Sequence, residues 1–154
     1  MITTLAGAPA SPLGLAAIPD QQRACVARGF EAWINYFFFY SVGYRPMLGG
    51  LAPLLRRRRE ALIVSTGSGS RQAAGLERAR RQTTRRLGVE QNELFFAEYV
   101  NGSDPPGAVF GPDGVLATLT RWREEGQIRY VGATTHDRSL AVRLLRDDRV
   151  DVLM

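Results

Sequence analysis

The stretch Ile34–Tyr40 reads INYFFFY, apolar or aromatic at nearly every position. A strand with one wet face alternates polar and apolar residues, whereas a continuous apolar run of this length fits a strand covered on both sides, as parallel strands are. Similar short runs flank it. Leu13–Ile18 (LGLAAI), Ala61–Ser65 (ALIVS), Glu93–Val100 (ELFFAEYV), Ile128–Ala133 (IRYVGA) and Val150–Met154 (VDVLM) read as further strands. Helical patterns lie between them. Asp20 is placed to cap a helix that buries Val26, Ala27 and Phe30, and residues 46–58 carry Met47, Leu48, Leu51, Leu54 and Leu55. Residues 71–87 set Leu76, Ala79, Thr83 and Leu87 on one face, with Gly88 as the stop. Asp113 is placed to cap a helix burying Val115, Leu116, Leu119 and Trp122 and ended by Gly126, and residues 138–146 form the last helix. The loop 101–112 is rich in glycine and proline.

Strands alternating with helices require right-handed crossovers and a parallel sheet, so the fold class is α/β. Connectivity alone leaves an open doubly wound sheet and a closed eightfold barrel in competition. A full barrel takes about 250 residues, and this chain has 154, ending within an apolar strand. An unfinished barrel is the expectation, with apolar interior and sheet edges left open.

Composition limits the chemistry. There is no lysine, and all 20 positive charges are arginines. A chain without lysine forms no Schiff base, places no P-loop ammonium on phosphate and tunes no buried amine. One cysteine, Cys25, forms no internal disulfide and fits a reducing cytoplasm. One histidine, His136, remote in sequence from Cys25, gives no zinc-ligand set, so no metal is expected. No apolar run reaches the roughly 18 residues of a membrane span, and the N-terminus lacks a basic leader. The expectation is a cytoplasmic protein with no membrane association.

The net charge of +5 raises the question of nucleic acid. The run Arg56–Arg59 and the cluster Arg78, Arg80, Arg81, Arg85 and Arg86 read first as solvated helix faces. Glu77 stands four before Arg81, Glu60 closes the first run, and no aromatics interleave to stack on bases. Nucleic-acid binding is the least favoured reading.

The succession LGLAA, GFEAWINYFFFYSVGY, ALIVSTGSGS, RRLGVEQNELFFAEYVN and LTRWREEGQIRYVGATTHD resembles the aldo/keto reductases from Leu13 to Met154 in order and spacing. Its most specific pieces are Ile34-Asn35-Tyr36-Phe37, Arg86-Leu87-Gly88 and Glu125–Gly132. The resemblance implies a (β/α)8 TIM barrel, of which this chain would hold about six of eight β/α units. Residues 1–12 would then be an N-terminal tail and residues 13–154 the incomplete barrel domain. It also implies NADPH at the strand ends and a tyrosine, lysine, aspartate and histidine for catalysis. In that arrangement tyrosine protonates the carbonyl oxygen as hydride arrives, and lysine, paired with aspartate, lowers the tyrosine pKa.

The chain departs from that pattern. Phe38 stands at the aspartate, Gly67 at the lysine and Asn101 at the histidine, while Gly43 takes the tyrosine position with Tyr44 one residue late. Tyr44 is the candidate catalytic residue. Thr134 is the candidate cofactor-binding residue, at the place of a hydroxyl that holds the nicotinamide amide, and Thr135 replaces an asparagine. A tyrosine without a neighbouring cation keeps its pKa near roughly 10 and is a poor acid. The expected function is a carbonyl-reductase lineage with impaired catalysis, an oxidoreductase of the aldo/keto reductase type if active, taking a small carbonyl compound. The alternative is a non-catalytic binding or scaffold protein using the barrel mouth, with self-association or a partner chain covering the open edges.

Four further features carry bland readings. His136 reads as a surface residue, and the stretch from Gly67 to Arg71 as a flexible strand-to-helix loop rather than a phosphate cradle. The aromatic row 36–40 reads as core. Glu98 and Asp104 read as too isolated for an acid/base pair.

Overall fold

A computed structural model describes all residues, Met1–Met154. Six strands, β1 (Gly14–Ala16), β2 (Tyr36–Phe38), β3 (Ile63–Ser68), β4 (Asn92–Ala97), β5 (Ile128–Ala133) and β6 (Val152–Leu153), form one parallel sheet in sequence order. Between them run α1 (Ala24–Glu31), α2 (Arg45–Arg58), α3 (Ala73–Leu87), α4 (Val115–Glu124) and α5 (Arg138–Leu145). The sheet curls into a partial (β/α) barrel, so of the two competing architectures the barrel is the one formed.

Strand alternation sorts the side chains into two layers. Outward residues Phe37, Phe39 and Val64 pack with Met47, Leu48, Leu51 and Leu55 of α2, and Phe95, Ala97, Val131 and Ala133 pack with Leu116, Leu119 and Trp122 of α4. These large side chains are almost fully buried, each contributing roughly 1.5–3 kcal/mol to the folded state. Inward residues Tyr36, Phe38, Leu94, Phe96, Tyr130 and Val152 meet across the concave face. Two glycines let these aromatics lie flat on neighbouring strands. A Cβ on Gly132 would sit 2.3 Å from the Phe96 ring, and one on Gly14 would sit 2.5 Å from the Tyr36 ring.

The first residues close the far end of this interior. Thr3 pairs with Pro9 in an antiparallel bridge, the Thr3 amide donates to the Tyr130 hydroxyl (3.0 Å), and Arg129 donates to the Thr3 carbonyl (2.8 Å). Ile2 packs on the inner layer, and Asn35 fastens Pro9 and Ser11 to β2. Ile2–Thr4 thus lie against the interior, while most of residues 5–12 are exposed.

Several elements differ from their sequence expectation. β2 is three residues long, not seven, because its neighbour β1 offers only three partners. β3 begins two residues late and runs through Gly67 to Ser68, since Ser65–Ser68 all pair with β4. Asp20 and Asp113 cap nothing: α1 starts after Arg23 and α4 after Gly114, neither with a side-chain cap. Ala27 faces solvent. Gly88 does end α3, in the left-handed conformation (φ 70°).

Candidate functional site at the strand-end mouth

The carboxyl ends of β2 to β5 form the mouth, and one strained residue shapes it. Tyr99, just past β4, has φ 53°, a left-handed conformation that costs a side-chain-bearing residue on the order of 1 kcal/mol or more. Hydrogen bonds hold it there. Its amide donates to Thr134 Oγ1 (2.8 Å), and its carbonyl accepts from Arg71 Nη2 (3.0 Å) and Asn101 Nδ2 (2.9 Å). Arg71 also donates to the carbonyls of Glu98 and Gly69 and pairs with Asp104 (2.7 Å), tying the β3–α3 loop to the β4–α4 loop. Burial alone would raise the Asp104 carboxyl, but Arg71 and the Asn101 amide hold it below its ordinary range.

This turn stops β4 at Ala97 and places Glu98 at the strand end on the inward side, in step with Leu94 and Phe96. Glu98 is 5% exposed and leans over Gly67. A Cβ at Gly67 would lie 2.7 Å from Glu98 Cγ, 2.8 Å from Oε1 and 2.5 Å from the Phe96 carbonyl oxygen. Glu98 Oε1 has no hydrogen-bond partner, and neither has the buried Thr66 Oγ1. Both residues line a cavity of about 240 Å³ together with Tyr40, Val42, Gln82 and Thr83. Burial pushes the Glu98 carboxyl up to about 7, with Arg71 opposing. A carboxyl of that pKa exchanges its proton near neutrality, the range in which acid–base groups operate.

Tyr40 lines the cavity with this carboxyl, and a series of rings runs outward from it to Tyr44 and through Tyr99 to His136. The Tyr40 ring stacks on Tyr99 (5.9 Å), touches Phe38 edge-on (4.6 Å) and lies 6.1 Å from Tyr44, while Tyr99 lies 6.2 Å from His136. The neighbouring Tyr40 hydroxyl pushes the Tyr99 phenol up, and Glu98 adds to that shift. Neither effect favours proton donation by Tyr99.

The residues singled out in the sequence fall as follows. Tyr44 begins α2 and is half-buried against the outer apolar layer, at the mouth beside Tyr40. Thr134 is buried and spends its oxygen on the Tyr99 amide; Thr135 donates to the Val100 carbonyl (2.7 Å) and accepts from the Asp137 amide. Phe38 fills the inner layer against Phe96. Asn101 does not end strand four. It is exposed in the following loop, bonded to Ser103 and Tyr99, because the Tyr99 turn ends the strand early. The strand-end position belongs to Glu98, which lies over Gly67. Gly67 and Ser68 are strand, not loop, and their ladder pairing removes the phosphate cradle. In the sequence Glu98 reads as too isolated, Tyr40 as core and Arg71 as the end of a flexible loop, and Tyr99 is not singled out. The one available signal was parity, since an acid in register with Leu94 and Phe96 must face inward.

These engagements fit a nicotinamide amide poorly. Thr134 retains one hydroxyl proton and Thr135 none, where a carboxamide asks for a paired donor and acceptor.

No family model matches the sequence, and no curated protein matches it. Solved structures do. An aldo-keto reductase from Bacillus halodurans in its holo form superposes with a TM-score of 0.76 at 20% identity, over 94% of this chain and 53% of that one. A Pseudomonas aeruginosa structure described as an aldo-keto reductase candidate gives 0.75 at 23% identity, over 96% and 63%. A second structure from that organism, described likewise, gives 0.73 at 22%, over 96% and 64%. The shared property is the fold, and the chain spans 53 to 64% of the length of these three.

Proposed function

We propose that the chain descends from NADPH-dependent carbonyl reductases of the aldo/keto reductase lineage and that, in this 154-residue form, its catalysis is impaired. One observation carries the reading: Gly67, where the resemblance would put the activating ammonium, has no room for a side chain, a Cβ there meeting the Phe96 carbonyl and the Glu98 carboxyl. A phenol donates to a carbonyl oxygen at neutral pH only when a nearby cation stabilises its anion. Here the groups around Tyr40, Tyr44 and Tyr99 include Glu98, which works in the opposite sense. The Arg71 guanidinium is committed to three backbone carbonyls and Asp104, and is not free to take the role. NADPH would supply hydride if bound; Thr134 offers it one contact, so weak binding is expected.

The test pairs NADPH fluorescence titration to millimolar cofactor with a simple aldehyde as substrate. No saturable enhancement and oxidation at the buffer rate support the reading. Aldehyde-dependent turnover matched by NADPH consumption would overturn it.

A second reading, a non-catalytic scaffold, is favoured by the inner layer: Tyr36, Tyr130 and Val152 stay partly exposed between the edge strands β1 and β6. It expects sedimentation velocity to show a dimer or a complex rather than a 17.0 kDa monomer.

A further inference from the structure

We propose that the cavity beneath Glu98 binds a small primary ammonium, whose N–H groups donate to Glu98 Oε1 and whose short alkyl tail lies among Tyr40, Val42 and Ala79. The first support is that two polar atoms of one cavity lack partners. Glu98 and Thr66 are 5% and 1% exposed, and an unpaired buried carboxylate is costly until a proton or a cation meets it. The second is that no positive side chain lines the cavity, and Arg71 in the adjoining loop is spent on Asp104 and backbone carbonyls. An anion entering here would meet the Glu98 charge without a counter-charge.

Size and lining select the organic cation over a bare one. At about 240 Å³ the space exceeds a single water, whose share of the liquid is roughly 30 Å³. Tyr40, Val42 and Ala79 in the lining offer apolar contact to two or three methylenes. Of the other hydroxyls in the lining, Ser68 Oγ accepts from the Ser70 amide and Ser41 Oγ from the Gly43 amide, while the Glu98 carboxyl is the one anionic acceptor in the lining.

Proton and ammonium compete for the same oxygen. Since burial holds Glu98 near 7, affinity rises close to tenfold per pH unit below about 7 and levels off above it. The other ionisable groups nearby are Arg71 from the β3–α3 loop, Tyr40 beyond β2, Tyr99 and Tyr44 across the mouth, His136 beyond Tyr99, and Arg45, Arg85 and Arg86 beside the lining residues Val42 and Gln82. The proposal does not rest on carbonyl reduction and stands or falls separately from it.

The experiment is calorimetric titration of the full chain with propylammonium chloride, beside propionamide, sodium propionate and sodium chloride at equal ionic strength. Saturable binding of propylammonium alone is expected, weakened at least tenfold by Glu98→Gln, with the stated pH dependence in the unaltered protein. Equal responses to propionamide or sodium chloride, unchanged binding in Glu98→Gln, or affinity flat from pH 5 to 8 would each overturn it. The wild-type pH series decides the matter even where a variant misfolds.

Discussion

Glu93 and Glu98 stand five residues apart on one strand segment, both almost wholly buried, and they lead opposite lives. Glu93 faces outward at the closed end, ion-paired with Arg59 and accepting from the Val64 amide at 2.9 Å. Glu98 faces inward at the open end with Oε1 unpartnered. Burial pushes both carboxyls up; at Glu93 the Arg59 charge and the Val64 amide pull back, while at Glu98 Arg71 alone opposes, acting past its own bonds to carbonyls. The lesson is about where a sheet tolerates an unmet polar group. The closed end uses its acid to hold strands and a turn together, and the mouth keeps an acid available for a proton or a ligand.

The largest effect expected from breaking this contrast is at Glu93. Glu93→Ala leaves the Arg59 guanidinium and Val64 amide without their acceptor, and a loss of about 3 kcal/mol in urea denaturation is expected. A loss no greater than that of Glu98→Ala would erase the distinction.

Next comes Gly67, where the two strands approach too closely for any side chain. Gly67→Ala should lose about 2 kcal/mol, because the Phe96 carbonyl is backbone and cannot swing away. Gly67→Lys should lose at least as much and gain no aldehyde-dependent NADPH oxidation. Turnover in this variant would show that the mouth accommodates an ammonium there.

Arg71→Ala sharpens the contrast from the other side. It releases Asp104 and the Glu98 and Tyr99 carbonyls together, so about 1–2 kcal/mol is expected, with faster hydrogen exchange confined to the loops after β3 and β4. Uniform change across the sheet would mean that Arg71 is not a local clamp.

The smallest expected change is the most specific. The folded pKa of Glu98, about 7, lies above its ordinary 4.5, so the folded state binds more protons between those values and stability falls as pH rises through them. Glu98→Gln should match the wild type near pH 4.5 and exceed it by about 1 kcal/mol at pH 8, a figure reduced for solvent screening at the mouth.

The fold was legible in the sequence because its signals are local and repeated. INYFFFY and ELFFAEYV announced doubly covered strands, and Leu76, Thr83 and Leu87 announced the buried stripe of α3. Strand ends were less legible, since they depend on neighbours: β3 extends through Gly67 because β4 pairs with it there, and β4 stops because Tyr99 turns left-handed. The site suffered from the same cause. Shifting the end of strand four from Asn101 to Glu98 moves the inward-facing residue, and no local pattern reports the Tyr99 turn, which hangs on Arg71 and Thr134 from other loops. The closure of the interior by Ile2 and Thr3 was equally silent, since its partners Arg129 and Tyr130 lie more than a hundred residues away.

The central claim is that the mouth is organised around a carboxyl without a counter-ion instead of a cation-activated phenol. Carbon-13 NMR of the glutamate side-chain carboxyls, followed from pH 3 to 9 in the wild type and Glu98→Gln, tests it most directly. One resonance titrating near 7 in the wild type and absent from the variant is the predicted result. Glu98 titrating below about 5, as a paired or solvated carboxylate does, would contradict it.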